Sequence, residues 1–452
     1  MTVRARRGRS RSIPFRLCWR APLMRIGSSI APGGPVLTPG PSAGRCGKAR
    51  FPRPWNGHGA HSRAARPDKR AAFPSIELRL PPPSGVPVKS IATGPLAMDI
   101  YPRTDYQTLA RYLPDQSAIA ADLGDNRNLW GAHPAALEVL ARSGTAAASE
   151  YPGSYSERFA DAVAARIGIT PDHITTGVGG TGVLDMLMRA VAPNTMRFLD
   201  PGWPAAGMLA QMNGHVPVAV EWHDAMDDPK GFAGSEPAIV FVANPGNPTG
   251  MAIPDDWLRA VQERTEAVGS VLILDEAYGE YNRDLDDRTP FEMALNSERT
   301  ICVKTLSKAY GLAGLRAGYG VANPSLVLEV DKARGPFVVT SVTSAAAAAA
   351  VASESPWLAD TIAETKANRE RVTDALRHRG YEVPRSAANF VFILREANEL
   401  EDVTARLERV GVRVRPFGGP TRLANGLRAT VAPWDRMQRL LDGLDRVAAG
   451  TI

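Results

Sequence analysis

Three short apolar runs constrain this chain more than any other feature: AIVFVANP (238–245), SVLILDEAY (270–278) and TICVKTLS (300–307). Each is apolar on consecutive residues instead of alternate ones, and each stops at a polar or turn-forming residue. A strand of that kind needs cover on both faces, as strands of parallel sheets do. Amphipathic stretches supply the cover. DDWLRAVQERTEAVG (255–269) puts Trp257, Val261 and Val268 on one side, and YSERFADAVAARIG (155–168) spaces Phe159, Val163 and Ile167 as a helix does. HITTG and TMRFLD read as further strands, with the helical VLDMLMRAV between them. The alternation predicts an α/β layered domain over 150–335. After it, NFVFIL, a helix at 398–409, GVRVRPF, GLRATVA and a helix at 433–448 predict a smaller α+β unit over 336–452, to which an N-terminal arm at 98–149 contributes. The alanine run 345–350 reads as a tightly packed helix, and no internal repeat occurs.

Charge divides the 452 residues unevenly. Of 53 basic and 47 acidic residues, 18 and 2 fall within 1–98, which leaves 35 basic against 45 acidic in the remainder. An acidic body lacks the basic footprint that phosphate backbones require, so nucleic acid is not the expected partner. Residues 1–97 also hold 15 of the 37 prolines and no sustained periodicity, so they are expected to be disordered and to contribute no catalytic group. An Arg-rich, acid-poor start also matches an organelle transit peptide or a basic arm for nucleic acid or anionic lipid. A start assigned too early, with Met98 opening the working protein, fits as well. Cys18 and Cys46 lie in this segment and only Cys302 in the body, so a disulfide framework is excluded there and a reducing cytoplasm is expected. No run of 18 apolar residues occurs, so no membrane span is expected.

Polar residues gather where the apolar runs end, which is where open α/β sheets bind ligands. FVANPGNPTG (241–250) is richer in Asn, Pro and Gly than a turn requires, and Asn247 reads as a positioned side chain. Asp275 closes an apolar strand, where a carboxylate is costly unless a cation meets it, be it a structural arginine or a ligand. GVGGTG (177–182) follows a strand and opens a helix, an arrangement suited to a phosphate. It also fits G-x-G-x-x-G with Asp200 downstream, the pattern of a nicotinamide dehydrogenase. That reading leaves Lys308, Asp275 and the Asn-Pro turn without a role. TLSKAYGLAGLRAGYG (305–320) sets Lys308 among small residues, with Arg316 eight positions on.

Together, NPGNPTG, LDEAY and TLSKAYGLAGLRAGYG resemble the class I/II branch of the fold-type I pyridoxal-phosphate aminotransferases. The resemblance runs from GDNRNLWG (124–131) through EYPGSYS to GVRVRPF and GLRATVAPW, over about residues 120–447. It is greatest to histidinol-phosphate aminotransferases. What it implies is a PLP-transferase fold of type I, with a mixed, mostly parallel seven-stranded sheet in the large domain and a smaller α+β domain. It also implies a homodimer with shared active sites and pyridoxal 5'-phosphate as cofactor, with no metal.

The resemblance assigns roles residue by residue. Lys308 would bind the cofactor covalently and move the substrate proton, Asp275 would meet the ring nitrogen, and Asn247 and Tyr278 the phenolic oxygen. Trp203 would stack on the ring. Arg316, Ser307, Thr305, Gly180 and Thr181 would hold the phosphate, joined by Tyr151 of the neighbouring subunit. Arg428 would grip the substrate carboxylate, with Arg415, Asn128 and Asn389 as further substrate residues. Two departures bear on the amino donor: GGTG stands where histidinol-phosphate enzymes carry acidic residues, and Asn126-Arg127-Asn128-Leu129 where they show Asn-Glu-Asn-Pro. The expected reaction is ping-pong transamination between L-histidinol phosphate and 2-oxoglutarate. The alternatives are another donor, aromatic or aspartate-like, or a lyase or decarboxylase such as a threonine-phosphate decarboxylase.

Overall fold

Alternate residues of each central strand enter different cores, which is why the runs are apolar throughout. Val240, Val242, Leu272 and Leu274 pack with Trp222, Trp257 and Leu258 on one side; Phe241, Ile273, Ile301 and Val303 pack with Leu184, Leu187 and Met188 on the other. Full burial of one such side chain stabilises by about 1.5–3 kcal/mol. The computed structural model describes residues 117–452 together with Arg103, Tyr106 and Leu109. The expectations for residues 1–97 and Met98 lie outside the described residues.

Twelve strands occur among the described residues: β1 (Ala121–Asp122), β2 (Ile174–Val178), β3 (Thr195–Asp200), β4 (Val216–Glu221), β5 (Ile239–Ala243), β6 (Val271–Asp275), β7 (Thr300–Thr305), β8 (Ala317–Val321), β9 (Phe390–Leu394), β10 (Val412–Arg413), β11 (Arg415–Phe417) and β12 (Gly426–Thr430). Seven form one sheet in the order β2-β8-β7-β6-β5-β3-β4. All are parallel except β8, which runs antiparallel to both neighbours. The carboxyl ends of β2, β3, β5, β6 and β7 therefore meet at one edge, and β8 begins there. β8 is glycine-rich, a composition that strands disfavour, and packing explains it. A Cβ on Gly318 would run into the backbone of Gly179 and Gly180, where the helix Gly179–Ala190 starts.

A second sheet has the order β11-β12-β9, antiparallel throughout. Its core takes Val391, Ile393 and Leu427 from the strands, Val372, Leu407 and Leu440 from helices Trp357–His378, Leu400–Arg409 and Trp434–Ala448, and Ala121 and Leu123 from the N-terminal segment. The stretch GVRVRPF is divided: β10 pairs parallel with β1, while β11 pairs antiparallel with β12. The helix Ser341–Val351, which holds the alanine run, packs instead on helices Pro134–Arg142 and Glu157–Ile167 and buries Ala346, Ala347 and Ala350 against the large-sheet core. Alanine permits that close approach. Tyr278 and Phe390 meet edge to face at 5.1 Å, so the edge of the large sheet touches the start of β9. Among the described residues no helix is long and apolar enough to cross a membrane.

Candidate active site

At the shared carboxyl edge of the large sheet lies a cavity of about 180 Å³. Its walls bring together Gly180, Thr181, Trp203, Asn247, Asp275, Tyr278, Thr305, Ser307, Lys308 and Arg316. The sequence separates these residues by up to 136 positions, and the topology unites them because each stands at or just past the carboxyl end of a strand, or just before β8.

One end of the cavity is built for an anion. The helix Gly179–Ala190 starts there with no side-chain cap, so its first N–H groups and its dipole are open to a negative group. Arg316 reaches the same place in a left-handed conformation, φ 54°, and its guanidinium donates to Ser307 Oγ at 3.2 Å. Ser307 and Thr305 hydroxyls are bonded at 3.0 Å. Glycine suits position 179: its φ is 71°, and a Cβ would lie 2.5 Å from an Arg316 nitrogen and displace the guanidinium.

The opposite character appears at Asp275. Its Oδ1 accepts the Ala277 N–H at 3.1 Å, and among the described residues no basic side chain lies within ion-pairing distance of it. Burial pushes the carboxyl up to about 6, against the opposing pull of Lys308 and Lys304. A carboxylate so placed favours a protonated nitrogen brought by a ligand. Lys308 stands in the same wall, its Nζ donating to Asp125 O at 3.3 Å and lying 5.7 Å from the Tyr278 ring centre. An anion cradle, an unpaired carboxylate and an amine in one cavity fit the phosphate, ring nitrogen and aldehyde of pyridoxal phosphate.

The remaining predicted residues surround this cavity differently. Arg428, on β12, donates to Asn247 Oδ1 at 2.6 Å and to Gly124 O at 2.7 Å, between the rings of Phe390 and Phe417. Arg415 is its cross-strand partner, so both project from the same sheet face, but Arg415 lines an outer groove with Asp122, Arg127 and Arg413. Tyr151 is 87% exposed and outside the cavity of its own chain. Asn128 spends both ends of its amide on backbone, donating to Ala309 O at 2.9 Å and accepting from Trp130 N–H at 2.9 Å. That makes it a clamp for the loop after Lys308. Asn389 donates to Asn126 O at 3.0 Å.

Two features escaped sequence reasoning. Asn126, two residues before Asn128, donates to the Tyr278 hydroxyl at 3.0 Å. Lys304, inside β7, pairs with Glu280 at 3.1 Å, and Glu280 and Glu276 raise the pKa of its amine against the lowering effect of burial. The signal was available, since a lysine within an apolar strand needs a carboxylate just as Asp275 needs a cation. A larger cavity of about 270 Å³ adjoins this network, but it shares no residue with the first, and Lys304 and Arg283 already face its glutamates.

The family model of aminotransferase class I and II matches residues 119–444. An aromatic amino acid aminotransferase of Rhodococcus jostii (strain RHA1) is 34% identical over 338 residues, covering 73% of this chain and 91% of that protein. One from Thermobifida fusca (strain YX) is 32% identical over 351 residues, covering 72% and 93%. Among solved structures, histidinol-phosphate aminotransferase from Sinorhizobium meliloti in complex with pyridoxal-5'-phosphate superposes with TM-score 0.70 at 26% identity, over 77% of this chain and 98% of that one. With the cavity at the sheet edge and these likenesses together, the chain belongs to the class I and II aminotransferases and is a pyridoxal-phosphate-dependent enzyme of fold type I.

Proposed function

We propose that the enzyme moves the amino group of an aromatic L-amino acid to 2-oxoglutarate in a ping-pong cycle, as a cytoplasmic homodimer. The observation that carries the donor is that relatives 30–34% identical to the chain bear the name aromatic amino acid aminotransferase. Consistent with it, the Arg428 guanidinium lies 5.5 and 5.1 Å from the rings of Phe390 and Phe417, so a carboxylate gripped there has apolar neighbours for an aromatic side chain. The dimer is supported by exposed apolar groups that a second copy would cover: Tyr151 lies 5.2 Å from Phe337, beside exposed Tyr155 and Val338.

Bound pyridoxal phosphate supplies an electron sink for negative charge at the substrate α-carbon. The chain does the rest. Gly180, Thr181, Thr305, Ser307 and Arg316 would hold the phosphate, and Asp275 would keep the ring nitrogen protonated. Trp203 would lie against the ring, with Asn247 and Tyr278 at its phenolic oxygen. Lys308 Nζ would anchor the cofactor and then carry the α-proton, while Arg428 would bind the α-carboxylate through its planar fork. Tyr151 of the partner subunit would reach the phosphate.

A second reading keeps L-histidinol phosphate as donor. It is favoured by Arg415, which shares the sheet face of Arg428 and suits a distal phosphate or the distal carboxylate of 2-oxoglutarate. Comparing kcat/KM for phenylalanine, tyrosine, aspartate and histidinol phosphate, each with 2-oxoglutarate, tests the proposal. A preference for histidinol phosphate overturns the aromatic assignment and leaves the reaction type standing.

A further inference from the structure

We propose that Asn126 is a positioning residue that fixes the direction of the Tyr278 hydroxyl proton and thereby ties the N-terminal segment and the second sheet to the cofactor cavity. The inference rests on the reading that the cavity holds pyridoxal phosphate. Three observations carry it.

Asn126 is held on several sides. It is 1% exposed and adopts a left-handed backbone, φ 57°, which Asn tolerates better than most residues. Its N–H donates to Thr430 Oγ1 at 2.9 Å, at the end of β12, and its carbonyl accepts Asn389 Nδ2 at 3.0 Å, just before β9. Its side chain is thus fixed by the second sheet although it points at the first.

The contact with Tyr278 has a direction. An amide nitrogen donates and cannot accept, so the Tyr278 oxygen accepts a hydrogen bond from Asn126 Nδ2 at 3.0 Å. At the other end of the amide, 3.3 Å from Oδ1, Thr430 Oγ1 accepts the Asn126 N–H and donates its proton to Leu123 O at 2.8 Å. The Tyr278 hydroxyl makes no other hydrogen bond among the described residues, so its own proton is unspent.

That proton has one place to go. Tyr278 is 6% exposed, packs at right angles to the Phe390 ring with centroids 5.1 Å apart, and lines the cavity. With the oxygen's acceptor side occupied by Asn126, the O–H is left for an acceptor inside the cavity, such as the phenolic oxygen of the cofactor. The charged groups facing this pair are Lys308 and Asp275 in the cavity wall, Arg316 at the anion end, and Arg428 through Asn247. None of them is altered by the substitutions below.

The experiment uses the full chain loaded with pyridoxal phosphate and reads the pH midpoint of the bound cofactor's visible absorbance, together with its dissociation constant by equilibrium dialysis. A donor directed at the phenolic oxygen stabilises negative charge there and lowers proton affinity nearby. Asn126→Gly keeps the left-handed backbone free of strain and releases the hydroxyl. It should raise the midpoint by about half a unit to one unit, roughly a 3- to 10-fold change in the proton equilibrium, and weaken cofactor binding several-fold. Asn126→Asp keeps shape and conformation but accepts the Tyr278 proton and adds a charge, so it should raise the midpoint further. In a Tyr278→Phe background, Asn126→Gly should produce no additional shift. Thermal unfolding of the cofactor-free variants reports any purely structural loss. An equal shift with or without Tyr278, or a lowered unfolding temperature with an unmoved midpoint, overturns the inference alone. A wild type that binds no pyridoxal phosphate overturns the functional reading and this inference with it.

Discussion

Asp275→Asn should stabilise the cofactor-free protein while abolishing its activity. The carboxyl closes β6 with a single N–H donor, that of Ala277, and burial pushes it up from 3.8 to about 6. An acid whose folded pKa is raised favours folding fully only below its unfolded pKa, and that contribution is lost as pH rises through the folded value. At pH 8 the buried carboxylate therefore opposes folding by about two pK units, roughly 3 kcal/mol, reduced toward 2 kcal/mol by its access to the cavity. Asparagine keeps an acceptor for Ala277 and removes the charge. Unfolding entropy of about 2 cal/mol/K per residue over roughly 340 residues gives about 0.7 kcal/mol per degree, so the variant should melt about 3–4 °C higher at pH 8. The gain should fall to about half at pH 5 and vanish below pH 4. In the same variant kcat should drop by about 10² or more, since a fixed charge aimed at the reacting system is lost. Differential scanning fluorimetry of cofactor-free protein at pH 8 and 5, paired with steady-state rates, measures both. A variant less stable than wild type at both pH values, or one with near-normal kcat, would refute the reasoning.

Lys308→Ala should lose turnover, and borohydride reduction followed by peptide mass spectrometry should find the cofactor on Lys308 of the wild type; normal turnover in the variant removes Lys308 from the chemistry. Gly179→Ala meets an Arg316 nitrogen at 2.5 Å and a φ of 71°, so cofactor affinity by dialysis should fall about 10-fold or more, roughly 1.4 kcal/mol; unchanged affinity would show that the cradle tolerates a Cβ. Arg428→Lys should weaken kcat/KM in both half-reactions because a point charge replaces a bidentate fork. Arg415→Ala should weaken mainly 2-oxoglutarate or a phosphate-bearing donor, and equal losses for phenylalanine would place Arg415 elsewhere.

The large sheet was legible because strands buried on two faces leave continuous apolar runs, and the cavity was legible because polar residues at their ends are costly without a ligand. Asp275, Lys308 and Asn247 were readable on that ground. β8 was not read as a strand, because its glycines answer to the close approach of Gly179 and Gly180 and not to strand propensity. The stretch 411–417 was read as one strand although it feeds two sheets, since nothing local marks the change at Val414. Asn126 and Asn128 are the same amide two positions apart. One donates to Tyr278 and the other to Ala309 O, a difference set by backbone conformation that composition does not carry. Donor identity was read toward histidinol phosphate from the lysine, arginine and Asn-Phe-Val segments, and these discriminate poorly because they hold the cofactor and the backbone around it, as Asn389 does in donating to Asn126 O.

The most direct measurement is a half-reaction without acceptor: the cofactor-loaded enzyme is mixed with L-phenylalanine, L-tyrosine, L-aspartate or L-histidinol phosphate, and its visible absorbance is followed with the keto product. The account predicts that the aromatic amino acids bleach the visible band fastest, releasing about one keto acid per active site, and that 2-oxoglutarate restores the band. Failure of every amino donor to bleach it, or release of carbon dioxide in place of a keto acid, would contradict the assignment of this cavity to amino-group transfer.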